Sequence, residues 1–222
     1  SINVAIDGPA GAGKSTIARM LARELNYIYV DTGAMYRAMA LYMIEHKIDV
    51  SHLDEVGSAC DAITIDIQYS AGEQQVILNG KNVNDFIRTE TVSEMSSKIS
   101  AIPEVREKLL SLQRSLAVAE NVIMDGRDIG THVLPNADVK IFLTADAHVR
   151  AVRRYEEFIA KGVSCTLENV EREVIERDER DMNRAIAPLK QAEDAVRVDT
   201  SAMTIEEVVC YLKNLIGQAV AR

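Results

Sequence analysis

Gly8, Gly13, Lys14 and Ser15 stand in the stretch GPAGAGKS at the spacing G-x-x-x-x-G-K-S. That spacing suits the cradling of phosphate. Successive backbone N–H groups and a helix N-terminus converge on phosphate oxygens, and side chains at the glycines would block the approach. Pro9, Ala10, Gly11 and Ala12 fill the loop and Thr16 follows it. Lys14 is expected to reach the β- and γ-phosphates, with the Ser15 hydroxyl on Mg²⁺. The motif is a strong signal for a nucleoside triphosphate and is silent on the reaction.

A second group of residues carries charge where apolar side chains belong. The segment RDERDMNR (177–184) lies in a helical pattern that starts near Thr166 and has Leu167, Val170 and Val174 on its buried face. At about 100° per residue, Val170, Val174, Arg177, Asp181 and Arg184 fall on one stripe. Either the helix outruns the core there and these side chains form solvated pairs, or the stripe faces something polar.

Other segments favour a cleft. DGRDIG (125–130) directly follows the apolar run NVIMD, so Asp125, Arg127 and Asp128 sit at the carboxyl end of a strand, where ligands of open α/β sheets bind. Asp125 occupies the place of the acid that orders a magnesium shell. DTGAMYR (31–37) repeats the situation: Asp31 or Thr32 caps a helix, and Tyr36 and Arg37 lie one turn inside it. Lys14, Arg37, Arg127, Arg177 and Arg184 are thereby expected on one cleft. A triphosphate and a phosphorylated acceptor repel each other, and joining them needs this density of cations.

The elements that must position these groups read as strands alternating with helices. INVAID (2–7), IYVD (28–31), NVIMD (121–125), VKIFLTA (139–145) and AVRVD (195–199) are apolar strand patterns. Helical faces carry Ile17, Met20, Leu21 and Leu25, then residues 33–46, then Ile205, Val208, Leu212 and Leu215 behind a Thr204/Glu207 capping box. This order predicts an α/β fold, a doubly wound parallel sheet of about five strands with helices on both faces. ITIDIQYS (63–70) alternates strictly, and QQVILNGKNV (74–83) has Asn79-Gly80 as a hairpin turn, so residues 62–98 read as a small antiparallel insert. Pro103 opens a helix with Val105, Leu109, Leu112 and Leu116 on its apolar face.

Composition excludes several classes. The net charge of −9 argues against broad binding to a nucleic-acid backbone, and no apolar run is long enough to cross a membrane. Sixteen Arg against nine Lys in an acidic chain point instead to a local anion site, because the guanidinium fork grips two oxygens at once. Cys60, Cys165 and Cys210 form no metal-type pair and fit reduced thiols in a cytosol. The four histidines have no ligand spacing, and Met35, Met39 and Met43 at helical spacing read as core.

Taken together, GPAGAGKST, DTGAMYR, VIMDGRDIGTHVLPNAD, the helix with Arg150, Arg153 and Arg154, and ERDERDMNRAIAPL resemble bacterial cytidylate kinases. The likeness runs in order along nearly the whole chain. It implies a single P-loop kinase domain over 1–222 that moves the γ-phosphoryl group of ATP to CMP or dCMP with Mg²⁺. It further implies that Ser97, Arg106 and Asp128 read cytosine, that Arg177 and Asp181 hold the pentose beside Tyr36, and that Arg37, Arg127 and Arg184 hold the acceptor phosphate. Thr32 and Asp125 join that pocket, Ser15 and Asp125 serve the metal, and Lys14, Arg127 and Arg184 act in the transfer. The loop from Gly8 to Thr16 and Arg154 hold ATP, the segment 150–165 forms a helical lid over it, and the insert at 62–98 enlarges the monophosphate site. A cytoplasmic monomer is implied as well. Thr32 stands where some relatives have Ser, and Ser15-Thr16 where some have Gly-Thr; no needed hydroxyl is lost. Two other readings stand beside this one. A kinase of another small molecule could use Asp125 or Asp128 to take a hydroxyl proton. A nucleotide-dependent switch shares the cradle, but the sequence lacks an N-K-x-D base-recognition tetrapeptide.

Overall fold

The computed structural model describes residues 1–221. Five parallel strands form the central sheet: β1 (Asn3–Asp7), β2 (Ile28–Asp31), β6 (Val122–Gly126), β7 (Val139–Thr144) and β8 (Val196–Asp199), in the order β2-β6-β1-β7-β8. The interior strands β1, β6 and β7 are buried almost throughout, which is why they read as mostly apolar runs rather than alternating ones. All five strands lie within a residue or two of the ranges expected from sequence.

The register aligns the chemistry. Asp31 pairs with Asp125 across β2 and β6, and Asp7 pairs with Gly126 across β1 and β6, so three carboxylates share one sheet edge. Helix α1 (Lys14–Leu25) follows β1 and buries Ile17, Ala18, Leu21 and Ala22. Helix α2 (Thr32–Glu45) follows β2; Asp31 caps it by accepting the Ala34 N–H at 2.9 Å. Met35, Met39 and Met43 are fully buried in its core.

The expected insert is present as a three-stranded antiparallel sheet, β3 (Ile65–Ser70), β4 (Glu73–Leu78) and β5 (Lys81–Asn82). Asn79 and Gly80 both take positive φ at the β4–β5 turn, as the sequence led one to expect. Two helices around this sheet were not anticipated: α3 (Leu53–Ala62) before it and α4 (Glu90–Ile99) after it, the latter packed on α2.

Two helical faces are rotated from expectation. In α5 (Pro103–Ala119) the buried side is Val105, Arg106, Leu109, Gln113 and Ala117, so two polar residues share it while Leu112 and Leu116 are only half-covered. In α8 (Ile205–Val220) the capping box forms as expected, but Val208, Val209, Leu212 and Ile216 are buried and Ile205 is exposed. Residues 150–160 fall inside α6 (Ala147–Ala160), which packs antiparallel-hairpin fashion on α7 (Leu167–Asn183) through Ala151, Val170 and Val174. Helix α7 stops at Asn183; Arg184 is its extended C-cap and not a further helical position, because the chain turns back there and the Leu189 N–H bonds to the Asp181 carbonyl at 2.8 Å.

Candidate active site

The glycine loop turns between β1 and α1 with Gly8, Gly11 and Gly13 at φ 152°, 75° and 86°. A Cβ on Gly8 would sit 1.9 Å from the Leu143 carbonyl oxygen, so the chain passes too close to β7 for any side chain there. No acidic residue occupies the first turn of α1, which leaves the positive end of the helix for an anion. The Lys14 ammonium donates to the Pro9 carbonyl at 2.8 Å across the loop. Burial and the nearby Arg127 push its pKa down to about 7. Arg150, buried, donates to the Ala10 carbonyl at 3.0 Å and to Asp178 of α7, bracing the loop against the helical hairpin.

Beside the loop, Ser15 and Tyr29 donate to the two oxygens of Asp125 at 3.1 and 3.0 Å, and Thr32 donates to its backbone carbonyl at 2.7 Å. Burial and the neighbouring Asp31 carry the Asp125 carboxyl up to about 6. Asp31 is also buried, but Arg37 at 3.4 Å and Arg88 at 2.8 Å hold it below the ordinary carboxylate range.

The arginines come from every side. Arg127 donates to Asp181 at 2.8 Å, and Arg106 forms an ion pair with Asp128. Arg184 donates to the Ala187 carbonyl at 2.7 Å and reaches the Ser100 hydroxyl at 3.3 Å. Burial and the neighbouring Arg127 press Arg177 down to about 9; Arg37 and Arg184 are lowered too, by burial first. Among the described residues, the buried Nε–H groups of Arg37, Arg106, Arg154 and Arg177 have no acceptor, and the Ser97 hydroxyl oxygen has no partner. Buried cations with unpaired donors are costly unless an anion completes them.

One cavity of about 820 Å³ joins these groups. Of the residues expected from sequence, Gly8 and Pro9 lie off its wall. Ala10 to Thr16, Thr32, Tyr36, Arg37, Ser97, Arg106, Asp125, Arg127, Asp128, Arg154, Arg177, Asp181 and Arg184 all line it. The stripe on α7 therefore faces a cleft, not solvent: Asp181 is 3% exposed.

Sequence reasoning missed several residues of this wall, among them Arg88, Arg153 and three between the end of β8 and the start of α8. Arg88, between the insert sheet and α4, reaches Asp31; only its place after a one-sided hairpin could have flagged it. Arg153 donates to the Thr200 carbonyl at 2.8 Å. Thr200, Met203 and Ile205 line the cavity from the turn after β8, which the same strand-end rule applied to β1, β2 and β6 would have found.

The family model described as cytidylate kinase matches residues 4–218. A cytidylate kinase of Carboxydothermus hydrogenoformans is 50% identical over 219 residues, covering 98% of each chain. One of Bacillus cytotoxicus is 44% identical over 221 residues, covering 100% of this chain and 98% of that protein. Among solved structures, an uncharacterized protein from Eubacterium ventriosum superposes with a TM-score of 0.52 at 14% identity, covering 98% of each chain, a likeness of fold alone.

Proposed function

The chain belongs to the cytidylate kinase family, and from that premise we propose that it passes the γ-phosphoryl group of ATP to CMP or dCMP, with both nucleotides held in the cation-lined cleft. The single observation that carries the assignment of residues is the continuity of that cavity from the glycine loop to the Arg106–Asp128 pair. A cradle for one phosphate chain and an arginine cluster for a second anion open onto the same space.

The division of labour follows from position. Backbone N–H groups of residues 10–16 and Lys14 take the ATP phosphates, and the turn at Thr200–Ile205 together with Arg153 and Arg154 covers its nucleoside end. Arg37, Arg127 and Arg184 take the acceptor phosphate. Ser97, Arg106 and Asp128 present donors and an acceptor to the cytosine edge, and Arg177 and Asp181 hold the pentose next to Tyr36. The acceptor oxygen is largely ionised near neutral pH, so no base is required; alignment, neutralisation and exclusion of water suffice. Ser15 and Asp125 are hard oxygen donors that already meet at 3.1 Å, a pair suited to Mg²⁺. Bound there, the ion would supply further neutralisation of phosphate charge.

Residues 150–165, most of α6 and the loop after it, act as the lid in this reading, and residues 62–98 shape the monophosphate side. Every group assigned above comes from one chain, so a monomer suffices. Three free cysteines fit a reducing cytoplasm, and no described helix is long and apolar enough to cross a membrane. A kinase that phosphorylates an alcohol needs a carboxylate free to take a proton. Here Asp125 is occupied by Ser15 and Tyr29, and Asp128 by Arg106, which disfavours that alternative.

The test is ADP release from Mg-ATP in the presence of CMP, dCMP, UMP or AMP in turn. CMP and dCMP are expected to turn over fastest. Equal rates with all four, or none with CMP, would overturn the reading.

A further inference from the structure

The sequence DGRDIG leads directly into a five-residue π-helical turn, Ile129–Val133, and both ends of that turn are held by charged side chains from elsewhere in the fold. At its start, the two oxygens of Asp7 accept the N–H groups of Ile129 and Gly130 at 2.8 and 2.7 Å. At its end, Arg114 of α5 donates to the carbonyls of Val133 and His132, each at 3.0 Å. A short helical turn leaves such groups unsatisfied, and a negative group at the start and a positive one at the end complement its dipole. Asp7 is 4% exposed, and burial pushes its carboxyl up to about 7 against the pull of those two N–H bonds. A carboxylate kept at that cost, directly after the apolar run Val4–Ile6, has work to do.

Its position says what the work is. Asp7 is the last residue of β1 and immediately precedes Gly8, the start of the phosphate cradle. The turn it grips begins one residue after Arg127 and Asp128. These two side chains end in ion pairs with Asp181 on α7 and Arg106 on α5, but their backbone is anchored by the turn. One carboxylate therefore ties the donor cradle to the loop that meets the acceptor.

We propose that Asp7 and Arg114 form a two-ended clamp on the turn 129–133 that sets where Arg127 and Asp128 stand relative to the phosphate cradle, making both positioning residues for the acceptor nucleotide. The inference rests on the assignment of Arg127 and Asp128 to CMP. Neither clamp residue lines the cavity. Displacing a substrate-holding group by about an ångström can cost roughly 100-fold, so small slackening is measurable.

The experiment compares Asp7→Asn, Arg114→Met, Arg114→Lys and Asp128→Ala with the unaltered protein, varying CMP, UMP and ATP separately and recording Tm for each. Asn at position 7 keeps one acceptor and turns an NH₂ toward a second N–H. Asp7→Asn is expected to raise KM for CMP about tenfold and to narrow the CMP-over-UMP preference, with KM for ATP within about twofold. Arg114→Met should do the same by about threefold, and Arg114→Lys should recover most of the loss. CMP and ATP parameters that worsen together in step with Tm would reduce the clamp to ordinary stability and overturn it, as would no change in KM for CMP. If Asp7→Asn does not fold, Arg114→Met and its lysine rescue decide alone. Loss of CMP preference in Asp128→Ala with none in the clamp variants sinks only the clamp; an Asp128→Ala enzyme that still prefers CMP sinks the acceptor assignment and the clamp with it.

Discussion

Seven consecutive residues, Ala10 to Thr16, line the proposed donor side of the cleft, whereas the proposed acceptor side draws Arg37 from α2, Ser97 from α4, Arg106 from α5, Arg127 and Asp128 from the turn after β6, and Asp181 from α7. The donor side works chiefly through backbone N–H groups and the end of one helix. The acceptor side works through long guanidinium side chains that mostly lean on carboxylates of other elements. Phosphate is common to every nucleotide, so a local backbone cradle is enough to hold it. Discriminating one base and aligning one phosphate demands groups approaching from several directions, and only a folded chain brings these together. The difference also appears in charge. The cradle has one lysine lowered to about 7, while on the acceptor side burial and crowded cations lower Arg37, Arg177 and Arg184.

The comparison is broken most severely at the junction. Arg127→Ala removes a cation that the proposed reading sets against both the acceptor phosphate and the transferred group, and kcat is expected to fall about 10³-fold in a coupled ADP assay. Arg177 remains beside Asp181, so circular dichroism and Tm should report a folded protein. Next comes the acceptor side alone. Arg106→Met leaves Asp128 buried without its partner and should raise KM for CMP by about 10- to 100-fold while KM for ATP stays nearly constant. Comparable loss for both substrates would show that the two sides are not separable.

The donor side is probed through its backbone. Gly8→Ala forces a methyl group into the Leu143 carbonyl and should cost about 3 kcal/mol or more, lowering Tm on the order of 10 °C by calorimetry. The smallest effect concerns a proton. Burial and Arg127 bring Lys14 down to about 7, so at pH 8 most of it is neutral; triphosphate bound beside it would stabilise the ammonium and raise that value. ATP binding at pH 8 should therefore take up roughly one proton, read by calorimetry in buffers of different ionisation enthalpy, and Lys14→Met should abolish most of it. Proton release instead would contradict the sign.

The strands and the cradle were legible because their signals are local. β1, β6 and β7 are covered on both faces and so appear as apolar runs, and the glycine loop needs no information beyond its own residues. The α7 stripe was half legible: periodicity aligned Asp181 with Val170 and Val174, but whether water or a cleft lay opposite was not encoded in the spacing. Arg184 reached the cleft by a different route from the one periodicity implied, through a turn after the helix ends. Arg88 carried no motif, and the Thr200–Ile205 segment carried only a helix cap, which says nothing of a cleft.

What the sequence determined by itself was the phosphate cradle, the succession of strands in the main sheet, and the excess of arginine over lysine that marks an anion site in an acidic chain. Those properties reside in neighbouring residues, whose spacing dictates backbone conformation and burial directly. The tertiary structure decided which carboxylate each arginine leans on, which face of α5 turns inward to offer Arg106, and how Asp7 at the end of β1 comes to hold a turn more than a hundred residues away. Such pairings depend on where separate elements pack, and the energy that selects them belongs to burial of the whole core, not to any one segment of chain.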